Sequence, residues 1–338
     1  MQRLTESKII LVTRPTRVAE LKRRFNTRSQ AKFYVSHLGQ DFSDYEQEDE
    51  RYVASVQTTL ALLETLGRVQ VIDRSFLPNF AFGPEDVVVV LGQDGLVANT
   101  VKYLEGQPVV GVNPDPARWD GLLLPFRVPD LIKVIPEVLV KKRPTEAVTM
   151  AQAKLNTGET LYAVNDLFIG PRTHTSARYV IELGDQRETH SSSGVIVSTG
   201  LGSTGWLKSL LTGASAIVQS LGSDSAKELQ EEFALAVAAR RTGKSPPVLP
   251  KKRLVAKSEF AWDASHLCFT VREPFPSRTT QTGIVFGRVT THQPLTLTSQ
   301  MPENGVIFSD GIEADFLEFR SGSRAVIMPA DRQGCLVV

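Results

Sequence analysis

Apolar positions in the first third of the chain follow two rhythms. Short apolar runs, KIILV (8–12), VQVI (69–72), VVVVL (87–91) and VVGVN (109–113), predict strands, with KIILV and VVVVL buried. Between them, Val53, Val56, Leu60 and Leu63 recur at helical spacing and predict a helix over 51–66. The acidic run Glu46 to Glu50 lies just ahead of it, where acids suit the positive end of a helix. Another helix is expected from about residue 96, straight after the valine strand. Valine-rich strands alternating with helices predict βαβ units and a parallel sheet.

The rhythm changes after about residue 128. Proline and charge cluster in KKRPTEAV (141–148), and strand-like runs then dominate. They are TLYAVNDLFI (160–169), RYVIEL (178–183), GVIVST (194–199), HLCFTVRE (266–273), GIVFGRV (283–289) and PLTLTS (294–299). One helix is expected at about 224–240, followed by the basic loop RRTGKSPPVLPKKR (240–253). That loop reads as a solvated connection or as a contact for an anionic ligand. The expected division is an α/β domain over 1–128, a β-rich domain over 129–308 and a tail over 309–338.

Composition narrows the field without naming a function. The 338 residues carry a net charge of +1, so no whole-chain field draws the protein to nucleic acid or to a membrane. Cys268 and Cys335 form no CxxC pair, and the five histidines show no HExxH spacing; no metal site is expected from them. The start, MQRLTESKIILVTRP, has no apolar secretory core and no cleavage pattern, and no run approaches the ~18 apolar residues of a membrane span. A cytoplasmic protein is expected.

Three stretches carry candidate chemistry. The first is GQDG (92–95), at the mouth of the valine strand. Gly92 and Gly95 permit a tight turn and a close approach to a ligand. The following helix turns its amides toward the same place, which suits phosphate. Asp94 beside an anion site suits a general base or a magnesium ligand, whereas an ordinary Gly-x-Asp-Gly turn needs no ligand at all. The second is STGLGSTGW (198–206), in which Gly200, Gly202 and Gly205 match a dinucleotide fingerprint. It lies in the β-rich half, and no second strand ends in an acid about 20 residues later, Asp224 sitting at an expected helix start instead; both weaken an oxidoreductase reading. Its hydroxyls, Ser198, Thr199, Ser203 and Thr204, suit sugar and phosphate oxygens. The third is Asn165-Asp166, polar residues inside an apolar run, explained either by backbone partners or by a ligand. Gly243-Lys244-Ser245 is no P-loop, because Ala238 stands where that pattern needs glycine.

The order GQDG, then Asn165-Asp166, then STGLGSTGW resembles the NAD kinase family, whose hallmarks are a GGDG turn, an NE or ND pair and a TGS-containing loop. Supporting runs are GVNPDPARWDGLLLP (111–125), SSSGVIVSTGLGS, VREP (271–274) and FSDG (308–311), and with these the likeness is nearest to the mitochondrial-type members. It covers roughly residues 8–325 and implies a Rossmann-like α/β domain, a C-terminal β-sandwich, and a last segment that returns to the first domain. It further implies ATP and magnesium as cofactors, NAD as substrate and a homodimer. Asp94 would be the general base acting on the adenosine 2′-hydroxyl. Gly92, Gln93 and Gly95, with Thr199, Gly202, Ser203 and Thr204, would line the nucleotide site, and Asn165 and Asp166 would hold the adenosine and ribose. Arg14 and Arg17, just after the first strand, are positioned either for phosphate or for an exposed structural role. Gln93 and Leu96 depart from the family's glycine and threonine. They leave open a kinase of another hydroxyl, on a sugar or a lipid headgroup, and a non-catalytic NAD(P) sensor.

Overall fold

The computed structural model describes residues 7–220 and 260–338. The expected helix at 224–240, the basic loop at 240–253, Asp224 and Gly243-Lys244-Ser245 lie outside the described residues. The chain divides into two compact units, 1–148 with 331–338, and 149–330.

The first unit is built on β1 (Lys8–Thr13), β2 (Arg68–Asp73), β3 (Val87–Leu91) and β4 (Pro108–Val112), parallel and in the order β2-β1-β3-β4. Helices α1 (Arg17–Phe25), α2 (Arg28–His37), α3 (Ser43–Leu66), α4 (Asp94–Val101) and α5 (Leu131–Leu139) accompany them. Ile9, Leu11, Val89 and Val110 of the sheet pack with Leu63 and Leu66 of α3 and with Leu131, Val134 and Ile135 of α5. Every residue of β3 is buried, which explains its unbroken valine run: a covered parallel strand has no wet face. Two expectations need correction. Helix α3 starts at Ser43, so the acidic run lies inside it and not ahead of it. Cations from neighbouring segments neutralise these acids: Arg14 and Arg17 meet Glu48, and Arg28 and Lys32 meet Glu46. Helices α1 and α2 also fill a stretch to which the apolar pattern assigned nothing.

The second unit is a β-sandwich. One antiparallel sheet runs β12-β11-β10-β7-β14-β15, from Phe286–Val289 (β12), Leu267–Val271 (β11), Val195–Ser198 (β10), Asp166–Pro171 (β7), Gly305–Ser309 (β14) and Ile312–Glu318 (β15). The facing sheet contains β8 (Ala177–Leu183), β9 (Gln186–Ser192) and β13 (Leu295–Ser299), with β5 (Thr145–Leu155) and β6 (Thr160–Ala163). Strand β16 (Arg324–Val337) pairs β13 through its first half, while Cys335 and Leu336 pair β4 of the first unit. Leu167, Ile169, Val195, Val197 and Phe269 of the first sheet bury against Tyr179, Ile181, Leu295, Leu297 and Ile327 of the second. The one strand expected over 160–169 is two strands, broken at Val164 and Asn165. The break has a distant cause. The carboxylate of Asp310 accepts the N–H groups of Val164 at 3.0 Å, Asn165 at 2.7 Å and Asp166 at 3.2 Å, which takes them out of any ladder.

Candidate functional site

The break places Asn165 and Asp166 beside a cleft of about 480 Å³ in the second unit. Along β7 the side chains alternate: Leu167 and Ile169 enter the core, while Asp166 and Phe168 face the cleft. Phe168 pairs in register with Phe308 of β14. Its ring stacks on Phe308 at 6.1 Å and on Trp206, the first residue of α6 (Trp206–Ser220), at 5.9 Å. Glycines make room for this ring. A Cβ on Gly170 would meet its edge at 2.6 Å, and one on Gly194, where φ is +113°, at 2.7 Å. Two guanidinium groups join the aromatics: Arg172 lies 3.8 Å over the Phe316 ring and Arg272 lies 5.7 Å from Trp206. The cleft therefore offers flat apolar faces for a planar ring, Asn165 and two carboxylates for hydroxyl groups, and two cations for phosphate.

The two carboxylates differ. Asp310 takes three N–H bonds and returns its own N–H to the Asp166 carbonyl at 3.0 Å; it sits at φ +52°, a backbone region that aspartate tolerates. Asp166 has its Oδ1 enclosed without a hydrogen-bond partner. Burial, opposed by the Ser198 hydroxyl and reinforced by the charge of Asp310, pushes Asp166 up to about 7.

The Gly/Ser/Thr loop packs under this cleft. Thr199 is fully buried; its hydroxyl donates to the Val164 carbonyl and accepts the Gly202 N–H at 3.2 Å. Ser203, also fully buried, donates to the Gly200 carbonyl at 2.6 Å. Both hydroxyls thus have partners within the protein. Thr204 is exposed. The glycines answer to packing: a Cβ on Gly200 would lie 1.9 Å from the Ala261 carbonyl oxygen, and one on Gly202 would lie 2.2 Å from that of Asn165. The loop follows an antiparallel strand, β10, and so lacks the βαβ setting of a dinucleotide fingerprint.

In the first unit, GQDG joins β3 to α4. Gln93 is extended, and no side chain caps the helix. Asp94 opens α4, partly exposed, and its Oδ1 accepts the Leu123 N–H at 2.7 Å. A Cβ on Gly92 would lie 2.8 Å from the end of the buried Leu96 side chain, which would have to shift to admit it. The hydroxyl of Tyr52 ties the ends of two strands, accepting the Arg14 N–H at 2.9 Å and donating to the Leu91 carbonyl at 2.9 Å.

The sequence matches no family model and no curated protein. Solved structures do match in fold. Yeast NADH kinase, complexed with NADH, aligns over 99% of this chain and 84% of its own at 14% identity, with a TM-score of 0.50. An NAD kinase from Archaeoglobus fulgidus, in complex with ATP, aligns over 85% and 89% at 16% identity, with a TM-score of 0.48. The chain has an NAD kinase-like fold.

Arg14 and Arg17, which stand where a phosphate ligand was one expectation, are engaged by acids. Arg14 reaches Glu48 at 2.8 Å, and Arg17 meets both Glu48 and, at 2.7 Å, Asp44. Burial pushes Glu48 up, but the two guanidinium groups outweigh it and hold the carboxyl below its ordinary range. Among the described residues no group of three or more His, Cys, Asp or Glu side chains could hold a metal ion, and no helix is long and apolar enough to cross a membrane. Magnesium needs no such cage, since it binds through one or two carboxylates plus substrate phosphates. Asp94, at an uncapped helix start, fits that donor set as an alternative to serving as a base.

Of the pocket residues, Phe168, Trp206, Arg272, Phe308 and Asp310 fall in runs read from the sequence, but none of them was given a role, and Arg172 fell in none of those runs. Period-two alternation in VNDLFIG was the available signal: with Leu167 and Ile169 in the core, Asp166 and Phe168 must share the other face.

Proposed function

We propose that the protein transfers the γ-phosphate of ATP to the adenosine 2′-hydroxyl of NAD, giving NADP. The cleft of the second unit carries the reading. Stacked Phe168, Trp206 and Phe308 suit an adenine or nicotinamide ring, Asn165 and Asp166 suit ribose hydroxyls, and Arg172 and Arg272 suit the pyrophosphate. The NAD kinase-like fold supports it.

In this reading Asp94 is the general base. It takes the proton of the 2′-hydroxyl as that oxygen attacks the γ-phosphorus and ADP departs. The Leu123 N–H holds its carboxylate in one orientation. An aspartate is a weak base at neutral pH, so positioning contributes most of the acceleration. In the first unit the amides of Gln93, Gly95 and the α4 start suit phosphate oxygens. In the second unit the backbone of Thr199, Gly202 and Ser203 and the exposed Thr204 hydroxyl suit the nucleotide. Magnesium, when bound with ATP, neutralises phosphate charge. The protein acts in the cytoplasm as a homodimer.

The test is a coupled assay of the purified protein with ATP, magnesium and NAD, NADP being read by an NADP-specific dehydrogenase. NADP should form with NAD and not with its 2′-deoxy analogue. NADP-free turnover of ATP on a sugar or a lipid headgroup would replace this reading with a kinase of another hydroxyl.

A further inference from the structure

Segment 113–126 of the first unit delivers the Leu123 N–H to Asp94; Leu123, Leu124 and Phe126 at its far end are buried, while residues 114–122 add no buried apolar side chain. Pro114, Pro116 and Gly121, the last at φ +65°, prevent a helix, and Leu122 is exposed. Polar contacts hold this nearer part. Asn113 Nδ2 donates to the Trp119 carbonyl at 2.9 Å, and Ser55 donates to the Pro114 carbonyl at 3.3 Å. Arg51 of α3 pairs with Asp115 at 3.0 Å. Arg118 reaches Asp44 of α3 with both Nη atoms, one of them at 3.2 Å, and its Nε lies 3.8 Å from Asp115. Asp44 and Glu48 in turn hold Arg17 and Arg14 at the end of β1. At its far end the segment is pressed onto β4: a Cβ on Gly111 would lie 1.9 Å from the Leu123 carbonyl oxygen. Leu123 is therefore fixed on one side by backbone and on the other by an ion-pair strap.

A lone exposed ion pair contributes little, because solvent screens it and two long side chains must be ordered. This one belongs to a network with buried members. Glu48 and Arg14 are almost fully enclosed, and Arg118 is only one-fifth exposed. The bidentate grip on Asp44 also specifies direction, which a point charge does not.

We propose that Arg118, gripped by Asp44 and Asp115, is a positioning residue that straps segment 113–126 to α3 and so holds the Leu123 N–H on the Asp94 carboxylate. This rests on the kinase reading for its kinetic consequence, but not for its structural one.

The experiment compares Arg118→Ala and Asp44→Asn with Arg74→Ala, which breaks an exposed pair with Glu20 elsewhere in the same unit. Hydrogen exchange at the Leu123 amide should accelerate about tenfold in the first two and stay unchanged in the third. The kcat for NADP formation should fall about tenfold at unchanged KM for NAD. In an Asp94→Asn background Arg118→Ala should remove nothing further. Arg118→Lys, which keeps charge and fold without the fork, should fall between. Unchanged Leu123 protection overturns the proposal, as does a full loss of kcat persisting in the Asp94→Asn background. If the wild type makes no NADP the kinase reading fails by itself, and Leu123 exchange still decides whether the strap holds.

Discussion

Asp94 and Asp166 are the same residue type in two opposite environments. In the first unit Asp94 is partly exposed and its Oδ1 accepts the Leu123 N–H at 2.7 Å. In the second unit Asp166 sits at an aromatic cleft, one oxygen enclosed and unbonded, near a second carboxylate. At Asp166 the removal of water makes the carboxyl keep its proton, whereas Asp94 stands at a wet helix start with a backbone donor that orients it. Asp310 shows a third use: bonded to three backbone N–H groups, its carboxylate shapes the chain that presents the other acid. The chemical role of an aspartate thus follows from what surrounds its oxygens.

The largest expected effect tests the first environment. Asp94→Asn keeps the Leu123 bond but cannot take a proton, so NADP formation should fall by about 10²–10⁴-fold with the melting temperature nearly unchanged. A loss under threefold would make Asp94 a bystander. Next comes Asp310. Replacement by Ala removes one acceptor from three N–H groups and puts alanine at positive φ, so urea unfolding should show a loss of about 3 kcal/mol. An intact variant would mean that β6 and β7 are separated by something else.

The pH dependence of Asp166 sharpens the contrast. Its ordinary value is 3.8 and its folded value is about 7, so between these pH values the folded state binds more protons than the unfolded chain. Stability should therefore fall as pH rises from 4 to 7 and level off above, by an amount on the order of 4 kcal/mol. Asp166→Asn should flatten that slope and be more stable than wild type at pH 8. A wild-type curve that rises over the same window contradicts the assignment. The smallest effect concerns the aromatic wall. Trp206→Ala should weaken NAD binding by roughly tenfold in calorimetry, the usual worth of one stacking face, with the fold unchanged. Equal affinity would move the ring elsewhere.

Legibility followed the range of the causes. Strands β1, β3 and β4 were readable because burial on both faces leaves runs of valine and isoleucine. Strand β9, QRETHSS, was not, because its inward positions are polar: His190 meets Glu188 at 2.9 Å, and Ser192 meets Tyr179 of β8 at 2.9 Å. Helix α2 hid because Phe33, Tyr34 and Leu38 are exposed while Ala31 and Val35 are buried, which blurs the apolar stripe. Asn165-Asp166 was visible as an oddity, but its break depends on Asp310, far along the chain. Arg14 and Arg17 looked free because their partners sit on α3, in an acidic run that was placed outside the helix. The motif order was legible throughout; the aromatic cleft beside it needed the sheet.

The central claim is the transfer of a phosphoryl group to one particular hydroxyl. It is tested most directly by locating the phosphate on the product formed from ATP and NAD, using phosphorus–proton correlation in NMR. The account predicts a single monoester on the adenosine 2′-oxygen. A phosphate on the 3′-oxygen or on the nicotinamide ribose, or no transfer to NAD at all, would contradict it.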